Sequence, residues 1–174
     1  MEPTPTSLCP ENVHAELIDG RFYDIAPPSR IHQEILGYLF NQITNYITAR
    51  NGQCKVYPAP FTVELFRDKK TIVEPDISVV CDCCKLTEKG CCGAPDWIIE
   101  IVSPGNPSHD YVRKLNLYAD AGVREYWIVE PMGKEISVYF FEKSSFRAFS
   151  YTFHDKIRSR ISDDLWIDFA QLEV

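Results

Sequence analysis

Apolar and polar positions change period several times along this chain, and each change marks an element. Between Ile31 and Arg50 the apolar residues Ile31, Ile35, Leu39, Ile43 and Ile47, with Leu36 and Phe40 beside them, recur every three or four positions. This is the stripe of an amphipathic helix, with Ser29 placed to cap its start and Asn51-Gly52 to end it. Upstream, HAELIDGRFYDIA reads as two short strands about the turn dipeptide Asp19-Gly20. Downstream, CKVYPAPFTVELF and TIVEPDISVVC read as strands separated by the charged turn Arg67-Asp68-Lys69-Lys70. In TIVEPDISVV, alternation predicts one face with Glu74, Asp76 and Ser78 and another with Val73, Ile77 and Val79, acidic against apolar.

The stretch PDWIIEIVSP abandons alternation. Trp97, Ile98, Ile99, Ile101 and Val102 predict a strand covered on both faces, with Glu100 in its middle. SPGNPS ends that strand, and Ser108 is placed to cap a second helix that runs to Gly122. REYWIVEP is another buried strand, KEISVYFFEK and FRAFSYTFHD alternate as a hairpin, and LWIDFAQL closes the chain. Residues 1–12, with three prolines, read as a flexible leader before a single domain over 13–174. Interleaved strands and helices predict an α/β fold around a mixed sheet.

Composition narrows the class. A chain of 174 residues with 45% hydrophobic and 25% charged residues has the profile of a soluble globular domain. No apolar run approaches the roughly 18 residues of a membrane span, and the first residues lack the pattern of a secretory signal, so a cytoplasmic protein is expected. The net charge of −7 argues against coating nucleic acid through bulk positive charge, though not against a local basic groove. Five of seven cysteines crowd into CDCCKLTEKGCC. That spacing, without a histidine, is unlike paired zinc knuckles, and a cysteine-tolerant polar loop is the simpler expectation, with no zinc assigned.

Glu100 raises the chemical question. An ionised carboxylate is costly to bury unless it is paired, protonated or bound to a metal. It would serve as one half of a buried ion pair; it would equally serve, with Asp76 from a neighbouring strand, as an oxygen ligand to a hard divalent cation. A positive partner is on offer from the second helix, where Lys114 is flanked by Tyr111 and Tyr118. Lying directly after the Glu100 strand, that helix can lower Lys114 toward Glu100, whereas a surface pairing with Asp110 one turn away is the plainer role.

Five stretches in order, ELIDG, the PPS..H before the first helix, PDISVV, GAPDWIIEIVSP and RKLNLYADAGVREYWIVEP, make the chain resemble the Uma2 family (DUF820) of restriction-endonuclease-like proteins in the PD-(D/E)xK nuclease superfamily. The resemblance implies a restriction-endonuclease-like core, a mixed sheet flanked by helices with added N- and C-terminal hairpins. It places the superfamily's aspartate at Asp76 and its strand acid at Glu100. The lysine usually found two residues beyond that acid is replaced by Val102, which makes Lys114 the substitute. It also implies Glu16 as a further metal ligand, with His32 and Asp110 as accessory residues and Ser103 nearby. The implied activity is Mg²⁺- or Mn²⁺-dependent cleavage of DNA, in a homodimer suggested by the aromatic terminal hairpin. The alternative is a catalytically decayed nuclease fold that binds nucleic acid or protein.

Overall fold

The structure, a computed structural model, describes residues 15–68, 70–103, 108–143 and 145–174, and only the backbone of 108–110. The leader, Lys69 in the charged turn and the side chain of Ser108, expected as a cap, lie outside the described residues. In chain order the elements are β1 (Ala15–Ile18), β2 (Arg21–Asp24), α1 (Arg30–Ala49), β3 (Lys55–Pro58), β4 (Val63–Glu64), β5 (Ile72–Val73) and β6 (Ile77–Val80). They continue as β7 (Leu86–Thr87), β8 (Gly90–Cys92), β9 (Trp97–Ile101), α2 (Ser108–Ala121), β10 (Glu125–Glu130), β11 (Glu135–Glu142), β12 (Ser145–Thr152), β13 (Lys156–Arg158) and β14 (Trp166–Asp168).

A six-stranded mixed sheet in the order β12-β11-β10-β9-β6-β3 forms the centre. Its one parallel pair is β9 with β10, joined through α2, the crossover that a parallel pair requires. One face packs α1, the β13–β14 hairpin and the closing turn at Phe169 around Ile35, Leu39, Ile43, Trp97, Trp127 and Ile167. The other face packs α2 and a second six-stranded sheet, ordered β2-β1-β5-β4-β8-β7, around Ile18, Val63, Val73, Ile98, Tyr118 and Tyr126. Covered on both sides, β9 is buried at all five positions, as its unbroken apolar run predicts.

Along α1 the stripe is buried at Ile35, Leu39 and Ile43, whereas Ile31 in the first turn is exposed; the ends form as the pattern requires. The Ser29 side chain accepts a hydrogen bond from the His32 N–H, and beyond the helix Asn51 takes a positive φ of 50°. Asp19 and Gly20, both at positive φ, turn the first hairpin.

TIVEPDISVV departs from the predicted single strand. Pro75 has no N–H to give a ladder and disfavours helical geometry before it, so the segment splits: β5 joins the second sheet and β6 the central one. No continuous acidic face exists. Ser78 is fully buried in the central sheet, and Asp76 stands just ahead of β6. The cysteine-rich segment becomes a short 3₁₀ turn followed by β7 and β8, with Cys91 buried and Cys83, Cys84 and Cys92 exposed. Cys54 and Cys81 form a disulfide, brought together by the antiparallel pairing of β3 with β6.

Glu125 at the start of β10 is fully buried and anchors the C-terminal segment. It accepts hydrogen bonds from Trp127 Nε1 at 2.6 Å, Ser159 Oγ at 2.9 Å and Arg160 N at 2.8 Å. Burial outweighs these donors and pushes its carboxyl up to about 7. Between the unfolded value near 4.5 and about 7, the folded state holds a proton that the unfolded state has lost, so stability falls as pH rises through that window. Relative to Glu125→Gln, the wild type is expected to lose about 3 kcal/mol across it. Urea unfolding of both proteins at pH 4.5, 6 and 8 checks this, and a pH-independent difference contradicts it.

Candidate metal centre

Five segments deliver the polar side chains to one cleft of about 390 Å³. On α1, the Ser29 cap fixes the first turn, so that His32 points inward and is 5% exposed. The segment before β6 brings Asp76, β9 brings Glu100, and β1 brings Glu16. In α2, Tyr111, Lys114 and Tyr118 share one buried stripe, spaced by three and four residues, and Lys114 and Tyr118 meet Glu100.

Lys114 sits between two carboxylates. Its Nζ donates to Glu100 Oε1 at 3.0 Å and lies 3.0 and 2.9 Å from the two oxygens of Glu16. All three side chains are buried. Burial alone would lower the lysine's affinity for its proton, but the charges of Glu100 and Glu16 prevail and hold it well above the usual lysine range. Tyr118 OH adds a second donor to the same oxygen of Glu100 at 2.6 Å. Burial nevertheless pushes Glu100 up to about 7; Lys114 opposes the rise, while the charges of Asp76 and Glu16 add to it. Glu16 also accepts the Glu74 N–H at 3.1 Å, which ties β1 to the segment carrying Asp76.

Asp76 is held from two sides. Its Oδ2 accepts the Ile101 N–H at 2.6 Å, and its Oδ1 lies 3.1 Å from His32 Nε2. Burial works against a proton on His32, yet the hydrogen bond and charge of Asp76, helped by Glu100, leave its affinity raised. Ser103 lines the same cleft, and the side chain of Asp110 lies outside the described residues. The structure therefore brings together Glu16, His32, Asp76, Glu100 and Lys114. Lys114 meets Glu16 and Glu100 across long sequence separations, contacts that the plainer surface role would not have made. Tyr118 is the residue that sequence reasoning left without a role, although its spacing of four from Lys114 already placed it on the same face.

Five acidic side chains (Glu16, Asp24, Glu74, Asp76 and Glu100) line the cleft, with Lys114 as the single lysine among the described residues. Among the described residues, no three acidic, imidazole or thiol groups stand close enough to enclose an ion unaided. The donor set instead fits the sparse mode of Mg²⁺, which is bound by one or two carboxylates and completed by water and substrate oxygens. Asp76 and Glu100 are the two carboxylates that could take that part.

The sequence pattern of the Uma2 family, described as "putative restriction endonuclease", matches residues 5–168. The chain belongs to this family. Its fold is similar to that of a "putative nuclease belonging to DUF820" from Anabaena variabilis, solved as a crystal structure. That comparison gives a TM-score of 0.74 at 19% identity, over 91% of this chain and 88% of the other. An uncharacterised protein of Synechocystis sp. is 25% identical over 125 residues, which are 71% of this chain and 64% of the relative's length. The Uma2 member described here thus has a restriction-endonuclease-like fold in which Asp76 and Glu100 share one cleft.

Proposed function

We propose that this Uma2 protein is a cytoplasmic, divalent-metal-dependent endonuclease that hydrolyses DNA phosphodiester bonds in the cleft around Asp76 and Glu100. The observation that carries this reading is the acidic lining with one, already paired, lysine. A phosphodiester entering such a cleft meets net repulsion unless a cation accompanies it. A bound Mg²⁺ or Mn²⁺ supplies that charge and activates water. Asp76 and Glu100 would hold it, and Glu16, which shares Lys114 with Glu100, is the further candidate ligand. Ile101 N–H and His32 fix the Asp76 carboxylate. Lys114 and Tyr118 both grip Oε1 of Glu100, so Oε2 would be the oxygen left for a ligand role. Lys114 acts as a fixed positive charge that keeps two buried acids together and offsets charge developing on the phosphate.

The second reading, a decayed fold that binds without cutting, draws on Val102 in place of a strand lysine and on Lys114 being committed to two carboxylates. Incubating a panel of labelled DNA with the protein in Mg²⁺, Mn²⁺ or chelator separates the two. Cleavage confined to the metal-containing reactions is expected, and its absence with every substrate and metal sinks the nuclease reading. A homodimer remains part of the proposal because β12 is an eight-residue edge strand, exposed almost throughout, that carries Phe146 and Phe149. An edge of that length is a template for a second copy, and a monomer by light scattering removes it.

A further inference from the structure

The cleft also has an apolar wall that hydrolysis itself does not require. Beside the acids it is formed by Tyr23, Ile25, Pro27, Leu36, Ala59 and Pro60, with Tyr23 the cross-strand neighbour of Glu16. The Arg113 guanidinium lies 4.0 Å from the centre of the Tyr23 ring, bringing a positive charge beside this wall. We infer that the wall receives one unstacked nucleobase, so that the substrate of this chain is single-stranded or locally unpaired DNA and not an intact duplex. The inference rests on the nuclease reading for its ligand class and adds the strand state.

Three observations support it. First, about 390 Å³ is the size of a pocket for a small molecule, and beside its acids it carries apolar lining. It suits a single nucleotide unit better than a groove that tracks a helix. Second, apolar and aromatic surface gains contact with a base only through the base's flat face, which pairing and stacking hide in a duplex and unpairing exposes. Third, proteins that hold duplex DNA through its backbone neutralise several phosphates with lysine and arginine. Here the cleft-lining lysine already serves Glu16 and Glu100, and the chain carries a net charge of −7. Little positive charge remains to bind the many phosphates of a rigid duplex, whereas one base on the apolar lining and one phosphate at the acids ask for less of it.

The test uses the full chain with Mn²⁺ and a dye-labelled oligonucleotide, presented as a single strand and as a fully paired duplex. Binding is followed by fluorescence polarisation and cleavage on gels. The single strand is expected to bind and be cut at least about tenfold better, the worth of one base–aromatic stack. Tyr23→Ala should erase about that factor on the single strand, and Tyr23→Trp, which keeps a stacking ring, should retain it. Duplex bound and cut as well as single strand overturns the inference while leaving the nuclease reading intact. Tyr23-dependent binding of single strand without cleavage upholds the inference and instead removes the nuclease reading. Failure to bind either form overturns the inference, as does a Tyr23→Trp variant that folds normally yet behaves like Tyr23→Ala.

Discussion

Replacing Glu100 by glutamine is expected to reduce metal-dependent cleavage by about a hundred- to a thousandfold, the cost of removing one preorganised charge from a reacting centre. The fold should survive. The amide has the shape of the carboxyl and still offers Tyr118 an acceptor where Oε1 now lies 2.6 Å away. Lys114 keeps both oxygens of Glu16 within about 3 Å. The wild type carries the cost of an acid that burial has pushed up to about 7, and the amide is free of it. A melting temperature within a few degrees of wild type, together with lost cleavage, therefore assigns Glu100 to chemistry. Unchanged cleavage by a well-folded Glu100→Gln protein removes Glu100 from the mechanism.

Lys114→Met should act in the opposite way, on stability first. It leaves Glu16 and Glu100, 5% and 6% exposed, facing each other without a cation. Breaking a buried ion pair on one side costs about 3–5 kcal/mol, or a fall of roughly 6–20 °C in Tm for a domain of this size. Adding Glu100→Gln to Lys114→Met should return part of that loss, because one of the stranded charges is then gone, and a double-mutant cycle reads the coupling directly. A Lys114→Met protein that melts within 2 °C of wild type would mean that the triad is wet and weak, contrary to its burial. Cleavage should fall with Lys114→Met as well, but only the stability change distinguishes a lysine that organises two acids from one that merely visits the cleft.

Much of this arrangement is legible in the residues themselves. The stripe from Ile31 to Ile47 dictates α1, and a both-face apolar run dictates β9, because long elements repeat their period often enough to be read. Glu100 stands out for the same reason: a charged residue in an otherwise apolar strand has to meet something. The spacing of Lys114 and Tyr118 then puts a cation and a hydroxyl on one helical face, although where that face lands depends on the β9–α2–β10 crossover. What is not legible is built from short or distant pieces. The strands β4, β5 and β7 have two residues each, too few to show alternation, so the second sheet has no signature of its own. The split at Pro75 is local chemistry overriding a pattern that reads as one strand. The partnership of Glu16 with Lys114 spans 98 positions, and the Cys54–Cys81 disulfide spans 27. Both follow from strand order and packing, which periodicity does not carry.

The restriction-endonuclease-like fold explains why the acids can come from different elements and still meet. Asp76 is fixed by the backbone of β9 through Ile101 N–H, so the position of one acid is set by the strand that bears the other.

The most direct measurement is a Mn²⁺ titration followed by electron paramagnetic resonance of the free ion, comparing wild type with Asp76→Asn and Glu100→Gln. The account expects saturable binding of Mn²⁺ to the wild-type chain that is weakened at least tenfold in each variant, since each removes one of two carboxylate ligands. Binding of equal strength in all three proteins, or none in the wild type, would contradict a metal centre at Asp76 and Glu100.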